Sequence, residues 1–167
     1  YIFLSFKLKK VFKKNLNHRY FLSPKKFSQI KKKKKIKSLS SFHTRNVPHA
    51  AHQWIHEYLI KNYKNLLIQP LVGQYKRTEY RDNTIINLNK IAASAYRNQK
   101  NKILVVPFFS YPRYGGPKEA ALHAIVRKNF GCTQFWVGRD HAGYKNFFRK
   151  YASSKYCKKK SKKNRLT

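Results

Sequence analysis

Apolar positions along the middle of the chain follow two alternating patterns. Short apolar runs bounded by turn residues predict buried strands, and apolar residues spaced three and four apart predict helices. The predicted strands are 38–42, 66–70, 102–107 and 133–137. The predicted helices are 49–63, 81–97, 117–130 and, with a weaker pattern, 145–156. Each predicted strand is therefore followed by a helix.

This β-α-β-α-β-α-β-α order predicts an α/β fold with a mostly parallel sheet covered by helices. In sheets of this kind ligands bind at the carboxyl ends of the strands. Three loops lie at that edge, after Phe42, Pro107 and Val137. These loops hold the unusual residues of the chain, so we expect the functional site there.

Helical spacing also predicts which faces of two helices are buried. In helix 49–63 the apolar side holds Trp54, Ile55, Tyr58 and Leu59. In helix 81–97 it holds Ile85, Leu88, Ile91, Ala92 and Ala95. Pro117 is placed to open the third helix, and Gly131 is placed to end it.

The charge of the chain is concentrated at its two ends. The 167 residues include 39 Lys and Arg against 5 Asp and Glu, a formal charge of +34. Residues 1–42 hold 14 basic residues and residues 143–167 hold 10, with no acidic residue in either segment. We therefore predict a basic arm over 1–36, a globular domain over 37–156 and a Lys-rich tail over 157–167.

This charge is compatible with more than one explanation. A polyanionic partner is one: nucleic acid, an anionic membrane surface or a phosphate-rich ligand. Aromatic residues interleaved with lysines over 6–12 favour nucleic acid. The run Lys31–Lys35 is typical of a solvated loop or disordered arm, and the abundance of Lys, Asn, Ile, Tyr and Phe fits a bias toward A/T-rich codons. We prefer solvated arms with codon bias to nucleic-acid binding.

The sequence also indicates a compartment. It contains no apolar run near the roughly 18 residues that cross a membrane. Cys132 and Cys157 show neither zinc-binding spacing nor a disulfide framework, so we expect reduced thiols and a cytoplasmic location. The chain has no Met and begins at Tyr1, so we expect a fragment, and an organelle remains an alternative.

The first loop and the helix after it place a cation and histidines together. His49 and His52 are three residues apart, so they share one face of the first helical turn. A helix N-terminus binds anions, and two imidazoles there suit the phosphates of a nucleotide. Arg45 and Asn46 can hold a second oxyanion. The alternatives are two surface histidines that cap the helix and, less favoured, a zinc site without a third ligand.

The other two loops combine glycine with charged side chains. Arg113 precedes Gly115-Gly116, a pair that allows close approach of the backbone to a ligand. The stretch Gly138–Gly143 packs Arg, Asp and His directly after a strand, a density that favours a ligand site. The alternatives are an incidental arginine in a βα turn and an Asp140 that pairs with a neighbouring arginine to order the loop.

Four motifs together resemble the catalytic domain of the ATP sulfurylase, or sulfate adenylyltransferase, family. They are Thr44-Arg-Asn-Val-Pro-His-Ala-Ala-His52, Arg113-Tyr-Gly-Gly-Pro-Lys-Glu-Ala120, His123-Ala-Ile-Val-Arg-Lys-Asn-Phe-Gly-Cys-Thr133 and Gly138-Arg-Asp-His-Ala-Gly143. The resemblance covers about Phe21 to Cys157 and implies a Rossmann-like nucleotidyltransferase fold. Phe21-Leu-Ser-Pro24 resembles the segment between that family's two domains, so the arm over 1–36 includes a remnant of it.

The resemblance implies a role for the residues of each loop. It implies ATP binding by His43, Thr44, Arg45, Asn46, Gly138, Arg139, Asp140 and His141. It implies sulfate binding by His43, by Arg45 as the main ligand and by the backbone at Ala142. The implied catalytic residues are Thr44, Arg45, Asn46, His49 and His52. The two histidines hold ATP phosphates and stabilise the transition state, and Arg113 is a candidate for an additional anion contact.

The implied reaction is attack of a sulfate oxygen on the α-phosphorus of ATP, which gives adenylyl sulfate and pyrophosphate. Magnesium arrives with ATP, and we predict no protein-bound metal because the sequence shows no carboxylate cluster to hold one. We expect the full-length protein to be a homo-oligomer that binds neither membranes nor nucleic acid.

The chain departs from the family pattern at three positions. His43 stands where the family usually has Gln, Gln134 where it often has His, and Lys118 where it usually has Arg. Lysine lacks the forked donor geometry of arginine, and the reach and charge of histidine differ from those of glutamine. The family's catalytic domain also continues beyond the point where this chain ends. A degenerate relative that keeps the fold without the activity is therefore an alternative.

Overall fold

The computed structural model describes residues 20–73, 80–96 and 102–164, with side chains up to residue 161. In these ranges the helices are α1 (Pro24–Lys33), α2 (Ala50–Tyr63), α3 (Asp82–Ser94), α4 (Gly116–Asn129) and α5 (Ala152–Asn164). The strands are β1 (Ser40–Thr44), β2 (Leu66–Val72), β3 (Ile103–Val105), β4 (Phe108–Phe109) and β5 (Gln134–Phe135).

The strands form a parallel sheet in the order β3-β2-β1-β5, and β4 pairs with the end of β2. In the register of β1, Ser40 lies opposite Leu66 of β2 and opposite Gln134 of β5. All residues of β2 are buried, as expected for the centre of a parallel sheet covered on both faces. The predicted α/β fold with Rossmann-like alternation is therefore confirmed.

Two apolar clusters cover the two faces of the sheet. One contains Phe27, Ile36, Leu39, Leu67, Val106, Phe130 and Cys132. The other contains Phe42, Leu59, Ile60, Leu66, Ile68 and Tyr96. Successive strand residues point to opposite faces, which is why Leu66 and Leu67 fall in different clusters. Each fully buried leucine contributes about 1.5–3 kcal/mol, so β2 anchors both halves of the core.

The buried face of α2 agrees with the prediction at Leu59 and at Ile55, which packs against the second cluster, and differs at the two aromatic residues. The residues buried in this helix are His56, Leu59 and Ile60. Trp54 is 59% exposed and Tyr58 is 41% exposed. Their rings stack on each other and contact Trp136 rather than the core clusters. The apolar spacing predicted the position of the helix correctly. It did not predict that the rings of Trp54, Tyr58 and Trp136 contact one another.

The buried face of helix α3 also differs in part from the predicted face. The residues buried in it are Ile85, Ile86 and Asn89. Ile91, which was predicted to be buried, is 64% exposed, and Leu88 is 36% exposed. Asn89 is accommodated because its Nδ2 donates to the Ile85 carbonyl at 2.8 Å. A polar residue with a local hydrogen bond therefore lies beside Ile85 on the buried face, and the apolar spacing did not include it.

The lysine run lies partly in α1. Ser23 caps this helix, and Phe27 is fully buried in the first apolar cluster. Lys31 Nζ donates to the Gly131 carbonyl at 2.6 Å. The prediction of a loop or disordered arm for Lys31–Lys35 was wrong for the part inside the helix, because one buried aromatic ring anchors a helix whose lysines stay mostly exposed. The division of the chain into an arm, a domain and a tail stays a prediction.

Other boundaries show how local chemistry ends an element. Within the predicted strand 102–107 only Ile103–Val105 forms a strand, β3, and β4 begins after Pro107. Proline has no N–H to donate to a neighbouring strand. Helix α5 begins later than predicted because Tyr151 adopts a φ of 64°, outside the helical region. Helix α4 matches the prediction: Pro117 lies in its first turn, and Gly131 follows its end with a φ of 73°.

Candidate active site

A cleft of about 500 Å³ lies at the carboxyl edge of the sheet. Its lining includes residues from all three loops that the sequence selected: the turn from β1 into α2, the loop before α4 and the loop after β5. The predicted site residues in this lining are His43 to Asn46, His49, His52 and Gly138 to Ala142. The structure thus brings together all the predicted site residues except Arg113.

Arg113 is held by its own loop. Its Nη1 donates to the Ser110 hydroxyl at 3.3 Å and to the Tyr111 carbonyl at 3.1 Å. Tyr114 from the same loop lines the cleft, and the Arg45 guanidinium lies 4.8 Å from the centroid of its ring. This cation–π contact joins the first loop to the second. The anion contact assigned to Arg113 stays a prediction.

The turn from β1 into α2 is shaped by Thr44, whose Oγ1 accepts the Asn46 N–H at 3.0 Å. His49 is the residue before the first helical position, and its side chain makes no capping hydrogen bond. Its ring stacks on that of His52 with the centroids 3.9 Å apart. The alternative of capping through the His49 side chain is therefore wrong, and both imidazoles line the cleft.

His52 is neutral at pH 7. Burial and the neighbouring His49 lower the pKa of His52 to about 4. A neutral imidazole offers one N–H donor and one acceptor. The free N–H groups and the dipole at the start of α2 add to its attraction for an anion without adding a titratable charge.

The loop after β5 is tied to the helices on either side. The Ser153 hydroxyl of α5 donates to the His141 carbonyl at 2.8 Å. Ala142 has a φ of 57°, and its carbonyl accepts the Gly116 N–H at 2.9 Å. This hydrogen bond joins the third loop to the start of α4 and holds the backbone of Ala142 at the cleft. A positive φ is a strained conformation for a residue with a Cβ.

Arg139 and Asp140 form an ion pair, with Nε donating to Oδ2 at 2.7 Å. The pairing of Asp140 with a neighbouring arginine, which the sequence offered as the alternative to a ligand site, is present, and the ligand role of this loop stays a prediction. Both side chains are about half exposed, at 60% and 47%. Exposed pairs of this kind contribute little stability, so either group can exchange its partner for a ligand at low cost.

A buried polar stripe on α4 was not predicted from the sequence. Glu119, His123 and Arg127 follow one another at intervals of four, so they share a helix face, and all three are buried. The Glu119 carboxylate accepts the Arg113 N–H at 3.0 Å and the Gly115 N–H at 2.8 Å. It thereby holds the second loop against the helix N-terminus. The regular spacing of three polar residues is a signal in the sequence that predicts this stripe.

Arg127 is fully buried behind the cleft. Its Nη1 donates to the His123 carbonyl at 3.3 Å, and its Nη2 lies 2.7 Å from Nδ1 of His43. The guanidinium carbon lies 4.5 Å from the centroid of the Phe108 ring. No carboxylate of the described residues forms a salt bridge with it. Burial lowers the pKa of Arg127 to about 9, so it remains a positive charge at pH 7 and favours an anion nearby.

His43 lies where three histidines meet. Its ring centroid is 4.5 Å from that of His123 and 5.4 Å from that of His141. A guanidinium only donates, so the contact with Arg127 requires Nδ1 of His43 to accept, and the hydrogen of the neutral ring then lies on Nε2. Burial and Arg127 lower the pKa of His43 well below its usual value. His43 is therefore a neutral N–H donor at the cleft, as a glutamine amide would be.

The other two histidines of this cluster contact each other, with His123 Nδ1 3.0 Å from His141 Nε2. Burial is the main cause that lowers the pKa of each to about 3. All three rings are therefore neutral at pH 7. One nitrogen of the close pair carries a hydrogen, and the other accepts it.

These features define an α/β protein whose cleft suits an anionic ligand, since arginines, neutral imidazoles and a helix N-terminus converge at the carboxyl edge of a parallel sheet. A family model described as ATP-sulfurylase matches residues 18–167. The chain belongs to the ATP-sulfurylase family, as the four motifs predicted.

Curated relatives named sulfate adenylyltransferase agree with this assignment. The protein from Pyrococcus abyssi is 38% identical over 133 residues, which cover 80% of this chain and 35% of the relative. The protein from Hyperthermus butylicus is 40% identical over 133 residues, with 80% and 34% covered. The protein from Chloroflexus aurantiacus is 37% identical over 134 residues, with the same coverage of 80% and 34%. The chain thus spans about a third of the length of these relatives.

A solved structure has the same fold. The structure of a hexameric APS kinase from Thiobacillus denitrificans matches with a TM-score of 0.55 and 21% sequence identity. The match covers 72% of this chain and 24% of that chain. At this level of identity the likeness supports the fold of the chain.

Proposed function

We propose that the protein to which this chain belongs is a sulfate adenylyltransferase that converts ATP and sulfate to adenylyl sulfate and pyrophosphate. The observation that carries the proposal is the convergence of three loops on one cleft, with Arg45, His49, His52 and His141 in its lining. Family membership and the name sulfate adenylyltransferase carried by the relatives support it.

The reaction is a substitution at the α-phosphorus of ATP. A sulfate oxygen forms the new O–P bond while the bond to pyrophosphate breaks, and the protein forms no covalent intermediate. The protein has to bring two anions together, align the attack and stabilise charge on the leaving group. Cationic and N–H donor groups at fixed positions suit this work better than an acid or base.

Sulfate is assigned to the first and third loops. Arg45 offers forked donors to two sulfate oxygens, and its contact with the Tyr114 ring holds the guanidinium at the cleft. His43 adds the Nε2–H that its contact with Arg127 leaves available. The backbone at Ala142 completes this assignment. The buried Arg127 supplies a positive potential that reduces repulsion between sulfate and ATP.

The ATP phosphates are assigned to the start of α2, where His49 and His52 stack beside the free N–H groups of the helix. The loop Gly138–His141 is assigned to the nucleotide. Neutral imidazoles suit a transition state in which charge moves onto the leaving pyrophosphate, because their N–H groups strengthen as donors when that charge develops.

Magnesium is assigned to the ATP and not to the protein. The two carboxylates in the cleft lining are occupied, since Glu119 accepts backbone N–H groups and Asp140 accepts from Arg139. Mg²⁺ prefers carboxylate, phosphate and water oxygens and is poorly served by imidazole. The described residues of the cleft therefore do not fit a resident Mg²⁺, whereas the phosphates of ATP do.

Compartment and assembly form the last part of the proposal. No helix among the described ranges is both long and apolar enough to cross a membrane. We propose a cytoplasmic protein that assembles as a homo-oligomer at full length. The hexameric state named for the APS kinase with the same fold is compatible with the second point.

The proposal is tested by pyrophosphate release from Mg-ATP in the presence and absence of sulfate, assayed on the full-length protein. Arg45→Lys keeps the charge and loses the forked geometry, so it should raise the KM for sulfate by at least about tenfold and the KM for ATP less. A larger rise in the KM for ATP than in the KM for sulfate would assign Arg45 to the nucleotide instead of sulfate.

A further inference from the structure

Three histidines from three elements meet at the cleft: His43 of β1, His123 of α4 and His141 of the loop after β5. One ring nitrogen from each lies within 4.8 Å of the other two. The sequence predicted no protein-bound metal, because it shows no carboxylate cluster, and these three histidines are far apart in the chain. Folding brings them together.

We propose that His43, His123 and His141 form a binding site for a divalent transition metal of the zinc or cobalt class, with an open coordination position toward the cleft. Three imidazoles leave Zn²⁺ with a fourth position free for a small ligand. Imidazole nitrogen suits such ions and suits Mg²⁺ poorly, so the site is distinct from the magnesium that accompanies ATP. This site goes beyond the proposed transferase activity but shares His43 and His141 with the assigned sulfate and nucleotide contacts. With the ion bound, sulfate contacts the ion in place of the His43 Nε2–H.

The spacing of the nitrogens is close to what a tetrahedral site needs. With Zn–N bonds of about 2.0–2.1 Å, two ligand nitrogens lie about 3.3 Å apart. His123 Nδ1 and His141 Nε2 are 3.0 Å apart, so an ion can replace the hydrogen that lies between them. His43 has to approach by about an ångström or more from its present limit of 4.8 Å. Its ring is only partly buried, and rotation of the side chain can provide this shift.

The outer contacts of two rings match those of metal-ligating histidines. In the described part of the chain His123 Nε2 has no hydrogen-bond partner, and Glu119 Oε1 lies 3.7 Å from it. With an ion on Nδ1, the hydrogen of His123 lies on Nε2 and faces this carboxylate, the arrangement that orients many metal-bound histidines. Glu119 itself is held in place by two backbone N–H groups.

His43 has a partner for either position of its hydrogen. Its Nδ1 lies 2.7 Å from the Arg127 guanidinium and 3.2 Å from the Gln69 carbonyl. Without an ion, Nδ1 accepts from Arg127. With an ion on Nε2, the hydrogen moves to Nδ1 and donates to the Gln69 carbonyl. In this tautomer the Nη2 group of Arg127 no longer has Nδ1 as its acceptor, so the Arg127 side chain has to move away from the ring when the ion binds.

Arg127 opposes the ion, because a buried guanidinium lies close to the bound dication. An anion at the open position offsets this repulsion, since it is attracted to both charges. We therefore expect metal affinity to rise in the presence of inorganic sulfate. By linkage, the metal raises sulfate affinity by the same factor.

The test uses the 167-residue chain, free of ATP, titrated with Co²⁺ while its visible absorption reports coordination by nitrogen ligands. We expect one Co²⁺ per chain, displacement by an equal amount of Zn²⁺ and no displacement by excess Mg²⁺. His43→Gln removes one ligand and should weaken Co²⁺ binding by at least about tenfold. His49→Gln is the matched control: it removes another cleft histidine outside the three, so Co²⁺ binding should stay unchanged. Far-UV circular dichroism checks that each variant is folded.

The proposal is overturned if the folded chain shows no Co²⁺ absorption, or if His43→Gln binds Co²⁺ as tightly as the parent. Loss of binding in His49→Gln would also overturn it, because the stacked His49–His52 pair would then be the site. Pyrophosphate release is measured separately on the full-length protein with Mg-ATP. Release without Co²⁺ binding would refute the metal site alone, and Co²⁺ binding without release would refute the transferase alone.

Discussion

Nη2 of Arg127 lies 2.7 Å from Nδ1 of His43, so a fully buried cation decides which nitrogen of a cleft histidine carries the hydrogen. The contact joins the last turns of α4 to β1. It turns Nε2 of His43 into a donor, and it places behind the cleft a positive charge that forms no salt bridge with a described carboxylate. Both effects favour an anionic ligand, and both depend on a residue that is not exposed at the surface of the protein.

The cost of this buried charge can be measured with Arg127→Met. The variant removes a buried cation that has no carboxylate partner among the described residues, and replacing buried ions by apolar groups is often neutral or stabilising by about 1–4 kcal/mol. We expect an unchanged or higher free energy of unfolding in urea, together with weaker sulfate binding by calorimetry. Arg149→Met, at an exposed position, should change neither by more than about 0.5 kcal/mol. A large loss of stability in Arg127→Met would show that its hydrogen bonds outweigh its desolvation.

Stability should depend on pH through His56, which is 1% exposed. Burial and His52 lower the pKa of His56 from 6.5 to about 4. The folded state thus favours the neutral ring. This contribution is complete above pH 6.5 and is lost as the pH falls toward 4, by about 3 kcal/mol in total.

His56→Phe should remove that share of the pH dependence, because phenylalanine keeps the ring and cannot titrate. Urea unfolding at several pH values between 7 and 4 measures it. The slope of the free energy of unfolding against pH should become shallower by an amount equivalent to the uptake of up to one proton on unfolding. An unchanged slope would mean that His56 does not remain neutral in the folded protein.

Gly116 at the start of α4 and Gly138 in the cleft lining should respond differently to a methyl group. Gly116 has a φ of 53°, and a Cβ there would lie 2.5 Å from the Phe148 ring. Strain and overpacking together should cost about 2–4 kcal/mol in Gly116→Ala. Gly138→Ala is the control, since its Cβ would meet nothing within 4 Å. Thermal unfolding of both variants makes the comparison; similar midpoints would show that the turn before α4 relaxes freely.

The stacked histidines at the start of α2 should matter for turnover more than for folding. His49→Ala and His52→Ala each remove an N–H donor from the phosphate assignment, so kcat should fall by about 10²–10³-fold in the full-length protein. Circular dichroism should show an unchanged fold, because His49 makes no capping hydrogen bond. A fully active double variant would remove both residues from the catalytic assignment.

The sequence predicted the parts of this fold that depend on local pattern. The strand around Leu66–Val72 and the helices at Ala50–Tyr63 and Gly116–Asn129 follow from apolar runs, from spacing and from the positions of proline and glycine. The meeting of three loops at one cleft followed from the general geometry of parallel sheets, which places the carboxyl ends of the strands together.

The parts it missed depend on contacts between distant residues. Trp54 contacts the rings of Tyr58 and Trp136 and stays exposed. The spacing of apolar residues within one helix does not predict a contact with Trp136, which lies on another element. The histidine cluster joins His43 to His123 and His141, which lie on separate elements. The three polar residues of the stripe on α4 are spaced four apart in the sequence, but their burial could not be predicted from that spacing. An amphipathic helix usually buries its apolar side and exposes its polar side.

The proposed transferase activity is tested most directly by product analysis of the full-length protein supplied with Mg-ATP and sulfate. We expect equal amounts of adenylyl sulfate and pyrophosphate, with neither formed when sulfate is left out. Release of pyrophosphate that does not require sulfate would contradict the assigned acceptor. A folded full-length protein that forms neither product would contradict the proposed activity as a whole and would favour an inactive member of the family.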